Sequence, residues 1–125
     1  MEDLIQRVVA ATGIDAGIVQ KAVGMILGFL HKEGPSEQVG ELMNAIPGSK
    51  EAAVEASGGG GLMGMAASVM GGGVMGLGAK LMGAGVSMDQ ISGISKELFA
   101  YGREKAGEDV MGGIVGQIPG LEKFI

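Results

Sequence analysis

Residues 22–30 read Ala-Val-Gly-Met-Ile-Leu-Gly-Phe-Leu, nine consecutive residues without a polar side chain. The run lies within a stretch that predicts a helix, because Asp15 can cap its start and Gly34-Pro35 ends it after about Lys32. A helix that is apolar all round is buried on most of its sides. We therefore expect this helix to form the centre of the fold.

The residues around the central helix predict shorter helices before and after it. Near the N-terminus, an apolar stripe with i, i+4 spacing predicts a helix that ends at Gly13, and its members are Leu4, Ile5, Val8 and Val9. Ser36 can cap a third helix, which ends at Pro47-Gly48. Residues 49–56 predict a short helix that we expect to be exposed, because it holds only one large apolar residue.

An internal repeat relates two parts of the chain. At an offset of 72, residues 13–48 align with residues 85–120 without a gap, and Ile46-Pro47-Gly48 falls on Ile118-Pro119-Gly120. In the second repeat, Ser87 can cap a long amphipathic helix, and a last helix precedes the proline. The favoured interpretation is a duplicated helical hairpin packed about a pseudo-two-fold axis. The alternative is that two hairpins converged on similar patterns, since only five of the 36 aligned residues are identical.

The two repeats are joined by a segment of unusual composition, residues 58–85. It contains twelve glycines and five methionines, and Lys80 is its only charged residue. One interpretation is a flexible linker, and another is a membrane segment, because 24 uncharged residues separate Glu55 from Lys80. The favoured interpretation is a pair of helices that pack closely through glycines four residues apart. These glycines are Gly60 with Gly64 and Gly72 with Gly76, and Leu77 lies beside the second pair.

The composition argues against several classes of function. The formal charge of −5 does not provide the basic surface that nucleic-acid binding needs. The chain has no cysteine and a single histidine, His31, so we expect neither a nucleophilic catalytic site nor a His-rich metal site. The glycines match no phosphate-binding motif. We therefore expect no enzymatic activity, no cofactor and no small-molecule substrate.

Residues 40–118 resemble a bacterial family named after VcgC and VcgE. The similarity rests on four features in order: the Ile46-Pro47-Gly48 turn, the glycine-rich run 58–85, the helix start Ser87-Met-Asp-Gln90 and the helix end 101–107. The N-terminal helices resemble a related family of small helical bacterial proteins. Neither family has an assigned function, so the resemblance implies a helical fold and no activity.

Together these patterns predict one all-α domain over residues 1–125, a small bundle in which two pseudo-repeated hairpins are joined by a Gly/Met-rich helical segment. We expect a non-catalytic structural or binding protein that forms homo-oligomers through glycine-lined helix faces. The expected self-association or packing face, which meets either the rest of the domain or a second copy of the chain, consists of Gly60, Gly64, Gly72, Gly76 and Leu77. The alternatives are a membrane-peripheral protein that inserts residues 58–85 into lipid, or a helical module that binds an apolar ligand or lipid. The N-terminus lacks a basic segment followed by an apolar run, so the expected location is the cytoplasm.

Overall fold

The computed structural model describes residues 2–56, 73–118 and 122, and its regular elements in the two long ranges are seven α-helices. Their bounds are α1 Glu2–Thr12, α2 Ala16–Glu33, α3 Ser36–Ala45, α4 Ser49–Ala56, α5 Gly73–Gly83, α6 Met88–Ala106 and α7 Glu108–Gln117. The described residues contain no strand, and the predicted all-α class is confirmed. We call residues 2–56 (α1–α4) the first half and residues 73–118 (α5–α7) the second half.

The helix starts follow local sequence signals at two of the three predicted caps. The Asp15 side chain accepts a hydrogen bond from the backbone N–H two residues on and caps α2. At the start of α6, Ser87 and Gln90 form a capping box, in which each side chain accepts a hydrogen bond from the backbone N–H of the other. The prediction for Ser36 is wrong, because Ser36 is already helical and Pro35 stands at the N-cap without a side-chain hydrogen bond. The proline ring fixes φ there, and the extended backbone of Pro35 starts the helix one residue earlier.

Helix α2 lies at the centre of the described fold, as its apolar run predicts. It contacts α1, α3, α4, α5 and α6. Its buried residues are Val19, Ala22, Val23, Gly24, Ile26, Leu27 and Leu30. Because these positions occupy more than one face of the helix, neighbours pack against α2 from several sides.

Helix α4 packs closely along α2 and buries one face of its first five residues, contrary to the expectation that it would be exposed. Ser49 at its start is fully buried, and its hydroxyl donates a hydrogen bond to the Met43 carbonyl oxygen at 2.8 Å. Ala52 and Ala53 are also buried, and a Cβ atom at Gly28 of α2 would lie 3.6 Å from the Ala53 carbonyl oxygen. Small residues on both helices let the two backbones approach, so burial of α4 needs no large apolar side chain.

The two aligned repeats adopt corresponding structures. Helices α2 and α6 begin at residues 16 and 88, and α3 and α7 cover residues 36–45 and 108–117, which is the offset of 72 found in the sequence. Gly13 and Gly85 precede the long helices and both have a positive φ, +73° and +100°. Ten aligned positions are buried in both repeats, namely Ile14/Val86, Val19/Ile91, Ala22/Ile94, Val23/Ser95, Ile26/Leu98, Leu27/Phe99, Leu30/Gly102, Val39/Met111, Leu42/Ile114 and Ile46/Ile118.

The correspondence extends to the helices before the aligned repeats, since α1 precedes α2 as α5 precedes α6. Helix α1 packs against α6 of the second half, and α5 packs against α2 of the first half. The long helices α2 and α6 contact each other, as do the short helices α3 and α7. The contacts are unsymmetrical at α3, which packs on α6 without a comparable contact between α2 and α7. The first helix of each half therefore packs against the long helix of the other half.

Candidate association interface

The structure describes two of the five residues of the predicted self-association or packing face, and both lie inside the fold. Gly76 is buried and Leu77 is 7% exposed, and both belong to α5, which packs against α2 and α6. Leu77 and Leu81 join the hydrophobic core. The other three residues, Gly60, Gly64 and Gly72, lie outside the described part of the chain. Residues 73–83 of the Gly/Met-rich segment are thus a helix packed within the protein.

Glycines also line a second surface, the one between the first and second halves. A Cβ atom at Gly93 of α6 would lie only 2.9 Å from Cγ2 of Thr12, the last residue of α1. A Cβ atom at Gly102 of α6 would lie 3.0 Å from Cδ1 of Leu42 in α3. Ordinary van der Waals contact begins at 3.4 Å, so these helices approach as closely as they do because α6 carries no side chain at either point.

A third glycine extends this surface toward α7. A Cβ atom at Gly113 of α7 would lie 3.1 Å from Nε2 of Gln38 in α3. Three glycines of the second half thus each closely approach a side chain of the first half. We call the surface that they define the glycine-lined interface, and its glycines are Gly93, Gly102 and Gly113.

At this interface, a smaller side chain on the long helix of the second repeat is matched by a larger one on its short helix. Gly102 has no side chain where the first repeat carries Leu30. The short helix compensates, because Met111 stands where the first repeat has Val39, and the Met111 Sδ would lie 2.7 Å from a Cβ atom at Gly102. Both Gly102 and Met111 are buried. In the second repeat, Met111 therefore fills the space that the Leu30 side chain fills in the first. Because Gly102 has no side chain, α3 can pack directly on α6.

A cluster of charged side chains joins the halves where α1 meets α6. The Arg7 guanidinium donates hydrogen bonds to the carboxylates of Glu97, at 2.8 Å, and Glu104. These hydrogen bonds, the one to Glu97 foremost, raise the pKa of Arg7 above its ordinary value. The three side chains are 35%, 29% and 60% exposed. Ion pairs this exposed contribute little to stability, so their main effect is to orient α1 on α6.

The predicted face was identified from pairs of glycines four residues apart. No glycine of the glycine-lined interface lies four residues from another glycine, so that pattern does not detect this surface. The alignment of the two repeats holds a different signal. At three positions the second repeat has glycine where the first has a long side chain, and the pairs are Lys21/Gly93, Leu30/Gly102 and Glu41/Gly113. Loss of three long side chains from α6 and α7 indicates a surface that a neighbour approaches closely.

Two large apolar side chains are exposed at the turn between α5 and α6. Met82 and Met88 are each 55% exposed. The equivalent positions of the first half hold Ala10 and Ala16, which are exposed as well. The methionine pair is therefore a feature of the second half alone.

The described residues define an all-α protein of two equivalent halves joined by a glycine-lined interface. Comparison of the chain with protein-family models, curated proteins and solved structures finds no match. Within the part that the structure describes, no group of three or more His, Asp or Glu side chains is placed to hold a metal ion. In residues 2–56 and 73–118 no single helix is long and apolar enough to cross a membrane, and α1 and α2 pass this test only as a pair bent by 113°.

Proposed function

We propose that the chain is a non-catalytic, cytoplasmic structural or binding protein that forms homo-oligomers through glycine-lined helix faces. The observation that carries the proposal is the glycine-lined interface, at which three glycines of the second half each closely approach a side chain of the first half. The two halves are built from equivalent helices with equivalent buried positions. A surface that joins two equivalent halves of one chain has the shape to join halves of two chains.

The position of α5 supports packing against protein over insertion into lipid for this part of the Gly/Met-rich segment. Leu77 and Leu81 lie in the core, and α5 contacts both long helices. These side chains are available to a bilayer only after α5 leaves α2 and α6. Insertion would therefore expose apolar surface on both long helices, which is unfavourable in water.

Light scattering on the size-exclusion peak of untagged, detergent-free protein tests the proposal. One chain has a mass of 12.5 kDa, and we expect a species at a multiple of this mass whose share rises along a concentration series. A single species of 12.5 kDa at every concentration would contradict self-association. Loss of the protein to the pellet, with recovery only in detergent, would support the lipid-inserting alternative instead.

A pair of matched variants tests whether the association uses the glycine-lined interface or the exposed methionines. Met82→Gln/Met88→Gln removes the apolar tips, and Ala10→Gln/Ala16→Gln makes the same change at the equivalent corner of the first half. We expect both variants to associate as the unchanged protein does, because all four side chains are exposed and none of them is among the atoms closest to the interface glycines. Loss of association in the methionine variant alone would assign self-association to that corner and overturn the proposal.

A further inference from the structure

The helices that precede the two long helices, α1 and α5, are equivalent in position but are held unequally. Each has eleven residues, and each packs against both long helices. An isolated helix of this length is marginal in water even when its residues favour helix, so both depend on the bundle for their structure. The one that is held by fewer contacts therefore loses its structure more readily.

Helix α5 buries fewer side chains than α1 at equivalent positions. Four apolar side chains of α1 lie in the core or pack against it, and they are Leu4, Ile5, Val8 and Val9. At the equivalent positions, α5 has two core residues, Leu77 and Leu81. The other two equivalents are Gly76, which has no side chain, and Lys80, which is exposed. At these four positions, α5 thus places half as many apolar side chains against the core.

Polar contacts tie α1, but not the equivalent position of α5, to a long helix. Arg7 of α1 donates hydrogen bonds to Glu97 and Glu104 of α6. The equivalent of Arg7 in α5 is Ala79, which is exposed and has no polar side chain. The ion pairs that orient α1 on α6 therefore have no counterpart at this position of α5.

The backbone of α5 also favours the helix less than the backbone of α1 does. Four of the eleven residues of α5 are glycine, whereas α1 contains none. A glycine in a helix interior is unfavourable relative to alanine, because glycine loses more conformational freedom on folding. Gly76 and Gly78 both lie in the interior of α5. Helix α5 is thus held by fewer side chains and gains more freedom when it unfolds.

We propose that α5 is a releasable helix, which leaves α2 and α6 and unfolds while α1 and the other described helices stay folded. Local opening of this kind is typical of elements with few buried apolar contacts. The turn after α5 contains Gly83 and Gly85, whose backbones can change conformation at little steric cost. This inference goes beyond the proposed self-association and does not rest on it.

Release gives this part of the Gly/Met-rich segment two states with different surfaces. In the closed state, Leu77 and Leu81 lie in the core. In the open state, these two side chains and the surfaces of α2 and α6 beneath them are exposed to solvent. Helix α5 therefore controls access to apolar surface on both long helices, and α1 provides no second opening of this kind.

Amide hydrogen exchange in the unchanged full-length protein tests the proposal. Each exchange rate is compared with its intrinsic rate, which gives a protection factor that is independent of residue type. We expect the hydrogen-bonded amides of α5 to be protected at least about tenfold less than those of α1, which is the ratio that two interior glycines produce through helix propensity alone. Their exchange should also depend little on low urea concentrations, because release exposes less surface than global unfolding does.

Two matched variants separate release of α5 from global unfolding. Gly83 of α5 and Gly112 of α7 are both exposed helical glycines with no atom within 4 Å of an added Cβ, so alanine should stabilise either helix without a clash. Gly83→Ala should slow exchange in α5 by up to about fivefold. Gly112→Ala should leave exchange in α5 unchanged. If α5 opens only when the whole protein unfolds, both variants should slow its exchange equally.

A cysteine probe provides a second measurement, because the chain has no natural cysteine. Leu81→Cys in α5 and Leu4→Cys in α1 each replace a fully buried leucine, and Met82→Cys gives the labelling rate of an exposed thiol. We expect a thiol-specific reagent to label residue 81 at least about tenfold faster than residue 4, for the same reason of helix propensity. Hydrogen exchange in the unchanged protein keeps the test valid even if a cysteine variant does not fold.

The outcomes distinguish release from two other behaviours of α5. Lower protection in α5 than in α1, with selective slowing by Gly83→Ala, supports release. Equal protection in α1 and α5, with the same urea dependence, overturns it because the bundle then opens as one unit. Exchange in α5 at the intrinsic rate overturns it as well, because α5 would then not be docked at all. Light scattering measures self-association separately, so either proposal can fail without the other.

Discussion

Replacing Gly102 with alanine tests whether the close approach at the glycine-lined interface is essential to the fold. The new Cβ atom would lie 2.7 Å from Sδ of Met111 and 3.0 Å from Cδ1 of Leu42. Reaching the ordinary contact distance of 3.4 Å requires shifts of about 0.7 Å and 0.4 Å, by subtraction. Met111 and Leu42 are both fully buried, so neither side chain has free space into which it can move.

Two opposing effects set the change in the free energy of unfolding that Gly102→Ala causes. Extra carbon atoms in a well-packed core destabilise by about 1–3 kcal/mol. Alanine in a helix interior is more favourable than glycine by about 1 kcal/mol, which offsets part of this loss. We therefore expect Gly102→Ala to lower the free energy of unfolding by up to about 2 kcal/mol.

The matched control is Gly112→Ala in α7, where no atom lies within 4 Å of the new Cβ. There only the helix-propensity term acts, and the free energy of unfolding should rise by up to about 1 kcal/mol. Urea unfolding followed by far-ultraviolet circular dichroism, at one protein concentration, measures both variants. The steric reasoning is refuted if Gly102→Ala stabilises the protein as much as Gly112→Ala does.

A double variant identifies the atom responsible. Met111→Val gives the second repeat the residue that Val39 provides in the first and removes the sulfur nearest to Gly102. We expect Gly102→Ala/Met111→Val to lose less stability than the sum of the two single variants, because neighbours in contact couple by about 0.5–3 kcal/mol. Simple additivity would mean that the Met111 side chain does not limit the space at this position.

Three further predictions concern an ion pair, a helix cap and a strained backbone position. Arg7→Gln should lower the melting temperature at low ionic strength, and the difference should shrink in about 1 M salt because exposed ion pairs are screened. Because the pKa of Arg7 is raised, the stability that Arg7 contributes is fully present below its ordinary pKa and is lost only as the pH rises through the raised pKa. Titration of Arg7 should therefore not change this difference in melting temperature near neutral pH. Ser87→Ala removes the capping box of α6 and should lower the free energy of unfolding by about 1 kcal/mol in urea unfolding. Gly107→Ala should destabilise by about 1–3 kcal/mol in the same assay although its Cβ meets no atom, because φ is +104° and ψ is 156°.

Each of these predictions has a control within the chain. For the ion pair, Arg7→Gln should add nothing to Glu97→Gln/Glu104→Gln, and an undiminished further loss would count against the bridge. For the cap, Ser36→Ala should have a smaller effect than Ser87→Ala, because the Ser36 side chain makes no capping hydrogen bond. For the backbone, Gly112→Ala is the comparison for Gly107→Ala, and equal stabilisation of the two would contradict the strain.

The features that the sequence predicted correctly depend on residues close together in the chain. Asp15 and Ser87 cap their helices because the N–H groups that they accept from lie two or three residues on. The apolar run 22–30 predicts burial for the same reason, since nine adjacent residues share one property. Ser36 failed as a cap because the residue before it is proline, whose fixed φ already supplies the N-cap conformation.

The features that could not be predicted arise from contacts between distant residues. Burial of α4 depends on Gly28 lying opposite Ala53, and the composition of residues 49–56 gives no sign of that partner. Gly93 meets Thr12 although the two are 81 positions apart. An isolated glycine in a helix is compatible with exposure, a bend or close packing, so its role is decided only when the opposite helix is known.

Differences between the equivalent halves determine which halves can pair. In the observed arrangement, Arg7 of α1 meets two carboxylates of α6, Glu97 and Glu104. The equivalent positions on α2 hold Met25 and Lys32, so a first half paired with another first half would place Arg7 beside an uncharged side chain and a like charge. Such an arrangement loses both ion pairs and adds repulsion, which disfavours the wrong partner. The duplicated helices supply a common interface, and the exposed charges at its edge add a small preference for the pairing of unlike halves.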